Sequence, residues 1–307
     1  MIKKVLKRIL TLVVILVILS FFVFALMYIA PGDPAEKRLT SQGVAVTKKV
    51  LDAERERLGL MKPFLVRYGE WLFSIIRGDF GISFKDDMPV APKLLQGLGR
   101  TAVLALTSLA VSLITSFLLA VISVLKKDGI ADRIIRMFSF VSNSLPNFLI
   151  SVLLMYFLCI KLKLFPVIAK GDLVGLLLPV LSLSIPMTGR FIRQMRAEFL
   201  SEMSKDYVAG MRGRGVKTAY IMFNVIRNSL GHIFTIIALQ TGTLMGGSVV
   251  IETIFRWPGI GKLVMDSITA RDYPVIMGFV VIMGTIYLII NQIADVLSHR
   301  LDPRPES

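Results

Sequence analysis

The chain has 307 residues, 54% of them hydrophobic, a mean hydropathy of +0.70 and a formal net charge of +15. That composition excludes an ordinary soluble domain and a disordered tail, and points to the membrane class. Two histidines and one cysteine exclude an intramolecular disulfide and argue against a clustered metal or catalytic centre.

Six stretches carry no Asp, Glu, Lys, Arg or His: Ile9–Ala30, Thr101–Leu125, Met137–Ile160, Leu173–Gly189, Ile233–Ile251 and Tyr273–Ala294, each 17 to 25 residues long. A helix needs roughly 20 apolar residues to cross the hydrocarbon core, and it satisfies its own backbone hydrogen bonds there. Six spanning helices are therefore expected, in an all-α integral membrane fold. The chain then divides into a first helix at 1–30, a segment at 31–100, a five-helix core at 101–298 and a tail at 299–307.

The first stretch follows a basic KKVLKR and could be read as a secretory signal. Its apolar run is about twice what a signal needs, and no A-x-A-like cleavage site follows, so an uncleaved helix is expected. Pro31-Gly32-Asp33-Pro34 stops that helix. Residues 47–60 read as a charged surface helix ending near Gly59. In 64–76, Leu65, Tyr68, Leu72, Phe73 and Ile76 fall at helical spacing, with Trp71 at an interfacial position. Gly78-Asp79-Phe80-Gly81 is a turn. A small docked cap is expected here rather than a free linker.

Lysine and arginine set the orientation. The segments 1–8, 126–136, 190–231 and the tail hold 18 of them; 161–172 and 252–272 hold six. That bias puts both termini and the 190–231 loop in the cytoplasm, and the 31–100 cap outside. The net charge thus reads as topology, and no nucleic-acid partner is expected. Cys159 lies inside the third stretch, as a packed small apolar residue. The fourth stretch is the shortest and holds Pro179 and Pro186, so it is expected to be kinked or extended by its flanks.

About forty residues, Arg190 to His232, separate the fourth and fifth stretches. Leu200, Met203, Tyr207 and Met211 are spaced 3, 4 and 4 apart, an apolar stripe on a helix of about three turns. Gly210, Gly213 and Gly215 then break it, with Arg212 and Arg214 among them. Such a segment either docks in a partner's groove or packs on the chain's own helix ends.

The fifth stretch ends in Gly242, Thr243, Gly246, Gly247 and Ser248, suited to close helix contact or to a path lined by backbone. Gln240, Asn143 and Asn291 are the mid-span polar groups. No intramembrane carboxylate or base marks a proton relay. Gly259-Ile260-Gly261-Lys262 lacks the first glycine of a phosphate-binding loop, and Leu263 replaces its Ser/Thr. No cofactor is therefore expected on this chain.

At this point the residues carry a resemblance. The chain resembles the inner-membrane permease subunits of dipeptide, oligopeptide and nickel ABC importers over nearly its whole length. The resemblance rests on Pro31-Gly-Asp-Pro34, Leu58-Gly-Leu-Met-Lys-Pro63, Tyr68, Trp71 and Gly78-Asp-Phe-Gly81. It continues in Ser144-Leu-Pro146, Leu164-Phe-Pro166, Asp206-Tyr-Val208 with Gly215, Arg227-Asn228 and Gly247-Ser248. Ile251-Glu252-Thr-Ile-Phe255, Pro258-Gly-Ile-Gly261, Arg271-Asp-Tyr-Pro274 and Asp302-Pro-Arg304 complete it.

The resemblance implies a non-catalytic subunit of a prokaryotic cell membrane. Its cargo would be a di- or oligopeptide, nickel or another metal chelate. Its partners would be a second related permease, two ATP-binding subunits that carry ATP and Mg, an extracytoplasmic binding protein and membrane lipid. Leu200, Met203, Asp206, Tyr207, Met211, Arg212, Gly213 and Gly215 would lie in the segment that couples to the ATPases. Gly213, Arg214, Asn224 and Gly231 depart from the family's usual residues there. Candidates for the path are Gly242, Thr243, Gly246 and Ser248, with Asn143 and Gln240. For the binding-protein contact they are Glu252, Arg256, Trp257 and Lys262. A self-contained secondary transporter or channel is the alternative. It would call for intramembrane ionisable groups or an inverted repeat, and neither is visible.

Overall fold

The computed structural model describes residues 2–168 and 171–301, with side chains left out at 2–9, 239, 241–243, 245 and 294–301. The described residues are helical almost throughout, with one isolated bridge, Ile82 to Pro89. By chain contacts they form two units, 1–100 with 258–288, and 101–257 with 289–307.

The first unit begins with α1, Ile2–Ile29, which Pro31 and the positive-φ Gly32 end. Asp33 then caps α2, Pro34–Ser41, by accepting from the Ala35 N–H at 2.9 Å, with Pro34 in the first turn. Helix α3 spans Lys48–Arg57 and α4 spans Phe64–Ile76; Gly59 and Gly78 follow them at φ +67° and +80°. Both helices stand where the sequence periodicity puts them.

Residues 31–100 are folded, not a free linker. Arg38 is buried and donates through Nη1 to Asp87 Oδ1 at 3.1 Å and to the Phe84 carbonyl at 2.5 Å. Its Nε meets Glu54 at 3.1 Å, and Arg57 bridges Glu54 and Asp87. Buried Asp272 accepts from Ser83 Oγ and from the Phe84 N–H at 2.9 Å. Arg271 lies against Gly32 and donates to the Pro31 carbonyl. The motifs around Pro31, Gly78 and Arg271 thus act as staples within one unit.

Helix α5, Val90–Leu125, has 36 residues and starts 11 residues before the expected Thr101. Lys93 and Arg100 ended the uncharged stretch, but a charge does not end a helix; Lys93 instead pairs with Asp86. At about 1.5 Å per residue α5 is roughly 54 Å long, well beyond a membrane core of about 30 Å.

The third stretch is not one straight span. Helix α6, Ile130–Ser144, and α7, Asn147–Leu154, with its π-helical continuation Met155–Lys161, meet at 103°. Pro146 drives Leu145 into extended backbone, φ −87° and ψ 133°, and breaks the helix there. The fourth stretch is extended by its flank: α8, Leu173–Met203, carries both prolines inside 31 helical residues.

Two helices then frame a turn, α9 at Asp206–Gly213 and α10 at Thr218–Phe255. Helix α11, Ile260–Ala270, and α12, Tyr273–Leu301, complete the described residues. Among the described residues, five helices are long and apolar enough to cross a membrane, and six spans result if the bent pair is one. The fold is that of a multi-pass membrane protein.

The second unit's core centres on α8, whose Phe191, Ile192, Met195 and Phe199 are buried. Gly189 lets α6 approach: a Cβ there would lie 2.9 Å from the Ser139 carbonyl oxygen. Ser139 Oγ donates to the Gly189 carbonyl at 2.6 Å across the same contact.

Candidate functional site

The stripe in the 190–232 segment divides between two helices. Leu200 and Met203 end α8; Ser204 back-bonds to the Ser201 carbonyl at 2.7 Å, and Lys205 is extended, φ −75° and ψ 153°. Tyr207 and Met211 lie on α9. The expected three-turn helix is therefore broken at Lys205. All four residues nonetheless pack on the same core, together with fully buried Val208. Burial pushes the Tyr207 hydroxyl pKa up, and the group faces Asn228 and Glu202.

The stripe is thus satisfied within the chain, and the other face of α9 is exposed. Asp206, Ala209, Gly210, Arg212, Gly213, Arg214 and Gly215 are exposed. A Cβ built at Gly210, Gly213 or Gly215 meets nothing within 4 Å among the described residues. The helix ends in a Schellman turn: the Gly215 N–H reaches the Arg212 carbonyl at 2.9 Å, and the Val216 N–H the Met211 carbonyl at 3.1 Å. Gly215 takes φ +71° to make that turn. The result is a short, bare helix flanked by arginines, held from beneath by its apolar side.

What holds this end of the unit escaped the sequence reading. Asp132, at the start of α6, is fully buried and accepts from Arg196 on α8 through Nε and Nη2, both at 2.9 Å. Ser123 on α5 also donates to it, and the Asp128 N–H does so at 3.1 Å. The visible signal was Asp132 at a helix start, one of two aspartates in a loop of four basic residues. Beside this pair, Asn143 lines a cavity of about 360 Å³ with Arg136, Ser139, Ser144, Arg193 and Arg196.

The path candidates separate. Gly242 and Thr243 lie on α10, where their side-chain surroundings are outside what is described. Gly246 is exposed, and a Cβ there meets nothing within 4 Å among the described residues. Neighbouring Gly247 would meet Asn147 Nδ2 at 3.5 Å, and Ser248 is buried. Gln240 is half-buried on the same helix.

The binding-protein candidates narrow. Glu252 is fully buried and accepts from Thr101 Oγ1 at 2.7 Å, and Trp257 is buried in the same core. Neither offers a surface, because each is used to hold the second unit together. Arg256 is exposed in left-handed backbone, φ +54°. In the first unit Lys262 pairs with Asp266 on α11 and lines a cavity of about 270 Å³ with Lys85, Asp86, Lys93 and Gln96.

Long apolar helices and a bent span define a multi-pass membrane protein, with α9 a short helix exposed on one face. The chain belongs to the binding-protein-dependent transport system inner membrane component family, which it matches over residues 112–307; the family's N-terminal part matches over 1–107. It is 33% identical over 305 residues to the metal-staphylopine import system permease protein CntB of Staphylococcus aureus, covering 99% of this chain and 98% of that one. It is 35% identical over 304 residues to the nickel import system permease protein NikB of the same species, covering 99% and 92%. A solved amino acid ABC transporter with histidines has the same fold, TM-score 0.57 at 14% identity, over 68% of this chain and 94% of that one. The inward-facing MetNI methionine ABC transporter gives 0.57 at 15%, over 68% and 96%. The chain is therefore a non-catalytic, multi-pass inner-membrane permease component of an ABC importer.

Proposed function

We propose that this chain forms one half of a translocation path for a chelated transition metal, nickel foremost. A second, related permease supplies the other half. The observation that carries the cargo is the similarity to two metal-import permeases along essentially the whole chain. A chelated metal needs no ligand set in the permease, since a binding protein hands the complex over and the path only has to let it pass.

One ATP-binding subunit docks on the exposed face of α9, and a second docks on the related permease. ATP and Mg bind to them and not to this chain, whose Gly259 to Lys262 segment has no phosphate-loop spacing. ATP binding favours one state of the permease pair and hydrolysis releases it, so the coupled equilibrium performs work on the cargo. Both termini and α9 face the cytoplasm, and α2 to α4 face outward, where Arg256 and Lys262 meet the binding protein.

The test is uptake by cells that express this chain with the subunits encoded beside it. Accumulation of radioactive nickel, supplied with and without a carboxylate chelator, is expected, and labelled dipeptide is expected to stay outside. Dipeptide uptake without metal uptake would overturn the cargo while leaving the family intact.

A further inference from the structure

The first unit holds a cavity of about 220 Å³ between α1, α4 and the start of α12, lined by Phe24, Arg67, Trp71, Phe84, Tyr273 and Met277 among others. Its place relative to the membrane follows from α1. Phe64 and Tyr68 of α4 pack on Phe21, Phe24 and Tyr28, in the last turns of that apolar span. Leu65, Phe73 and Ile76 of α4 are 69%, 56% and 75% exposed, as are many apolar residues of α1, including Phe22 and Leu26. These helices therefore present apolar surface to acyl chains at a membrane border, where aromatic residues collect.

Inside that apolar setting sits a half-buried cation. Arg67 lies 5.7 Å over the Phe24 ring, and among the described residues no carboxylate pairs with it. Burial lowers its pKa from the usual value, and the only partners that offset this are the tyrosines Tyr273 and Tyr28. One turn further along, the buried Trp71 indole N–H has no acceptor. Glu70 also lines the cavity, but Lys62 Nζ holds both its oxygens, at 2.7 and 2.8 Å. A half-buried arginine without a carboxylate and a buried indole N–H without an acceptor, at 67 and 71, thus share one helix face at i and i+4. Buried donors are ordinarily satisfied, and an arginine's fork suits phosphate oxygens.

We propose that this cavity holds the phosphate of a membrane glycerophospholipid, with Arg67 as the main ligand and Trp71 Nε1 as the second. The acyl chains run along the exposed apolar faces of α1 and α4. The proposal rests on the chain being a membrane permease and not on its cargo.

The test uses the full-length chain, purified and delipidated in detergent. Its thermal unfolding is followed while phosphatidylglycerol, diacylglycerol with the same acyl chains, or millimolar inorganic phosphate is added. Phosphatidylglycerol is expected to stabilise the wild type, diacylglycerol much less, and inorganic phosphate neither to stabilise nor to compete. Arg67→Gln is expected to weaken the phosphatidylglycerol response about tenfold or more, the scale of a lost charged hydrogen bond. Arg67→Lys should recover part of it, and Trp71→Phe should weaken it by a few-fold while keeping the ring. If Arg67→Gln does not fold, the lysine and phenylalanine variants carry the test. An equal response to diacylglycerol, an unchanged response in the variants, or displacement of the lipid by inorganic phosphate would each overturn the proposal.

Discussion

Gly215 is the residue on which the geometry of α9 turns. Its left-handed backbone closes the Schellman turn that lets Val216 return to the core beside Met211. A side chain there is strained, so Gly215→Ala should cost about 1 kcal/mol in unfolding of the purified chain. Gly213 is helical with open space around it, and Gly213→Ala should leave stability unchanged or slightly raised. If Gly213→Ala nonetheless lowers recovery of ATPase subunits on the permease, the bare face is a contact. Equal recovery with both glycine variants would remove them from docking. Asp87 shows a different residue-scale effect. Hydrogen bonds from Arg38 and then Arg57 hold its pKa at about 2, against an ordinary 3.8. A depressed carboxylate contributes stability above its unfolded pKa and loses it as pH falls through the folded one. Wild type should therefore lose thermal stability between about pH 4 and pH 2 more steeply than Asp87→Asn, a difference softened by the exposure of Asp87. Parallel curves for the two would contradict the assignment.

The contacts between helices depend on small residues and buried polar pairs. Gly189→Ala would place a methyl against the Ser139 carbonyl and Ser142, forcing α6 from α8. Overpacking of that kind costs about 1–3 kcal/mol, and Ser142→Ala should relieve only part of it, because backbone remains in the way. A melting temperature unchanged in Gly189→Ala would show that α6 shifts freely. Breaking the Asp132–Arg196 pair with Asp132→Asn should cost about 3 kcal/mol, since it leaves Arg196 partly buried without its counter-charge. At Gly246, by contrast, an added Cβ meets nothing within 4 Å among the described residues, so the test there is Gly246→Leu. It should leave folding and assembly yield intact and reduce uptake, as expected of a group facing the path. Lost yield with folding intact would instead place Gly246 at a helix contact with a partner.

Element boundaries show what the sequence could and could not tell. Each uncharged run falls on a long apolar helix or on the bent α6–α7 pair, because the cost of charge in lipid is written into composition. The runs missed the true start of α5 at Val90, since Lys93 is accommodated by Asp86 beyond the apolar run. Pro146 was visible, but the 103° bend it produces depends on how α6 packs on α8. The stripe from Leu200 to Met211 was legible as an apolar face. Which way it faced was not, because periodicity marks a buried side without saying what buries it. Glu252 and Trp257 read as a charged, aromatic rim and are core, since Thr101 supplies a hydrogen bond from 151 residues away. Asp132 went unnoticed for the same reason: its partner Arg196 is 64 residues distant.

At the scale of the molecule, the account is a division of labour. Buried polar staples hold each unit, long helices provide the spans, and the proposed docking helix α9 keeps one face bare. The purified chain alone should show no ATP hydrolysis above background; activity that copurified with this chain free of partners would contradict that reading. The most direct measurement is a site-specific crosslink from α9. Cys159 is the only native cysteine and is buried, so Ala209→Cys introduces one exposed thiol. In membranes holding the assembled, transporting complex, a thiol-to-amine crosslinker at residue 209 is expected to capture an ATP-binding subunit, with a yield that changes when ATP is added. A transporting complex in which residue 209 is fully labelled yet captures no ATP-binding subunit would contradict the account.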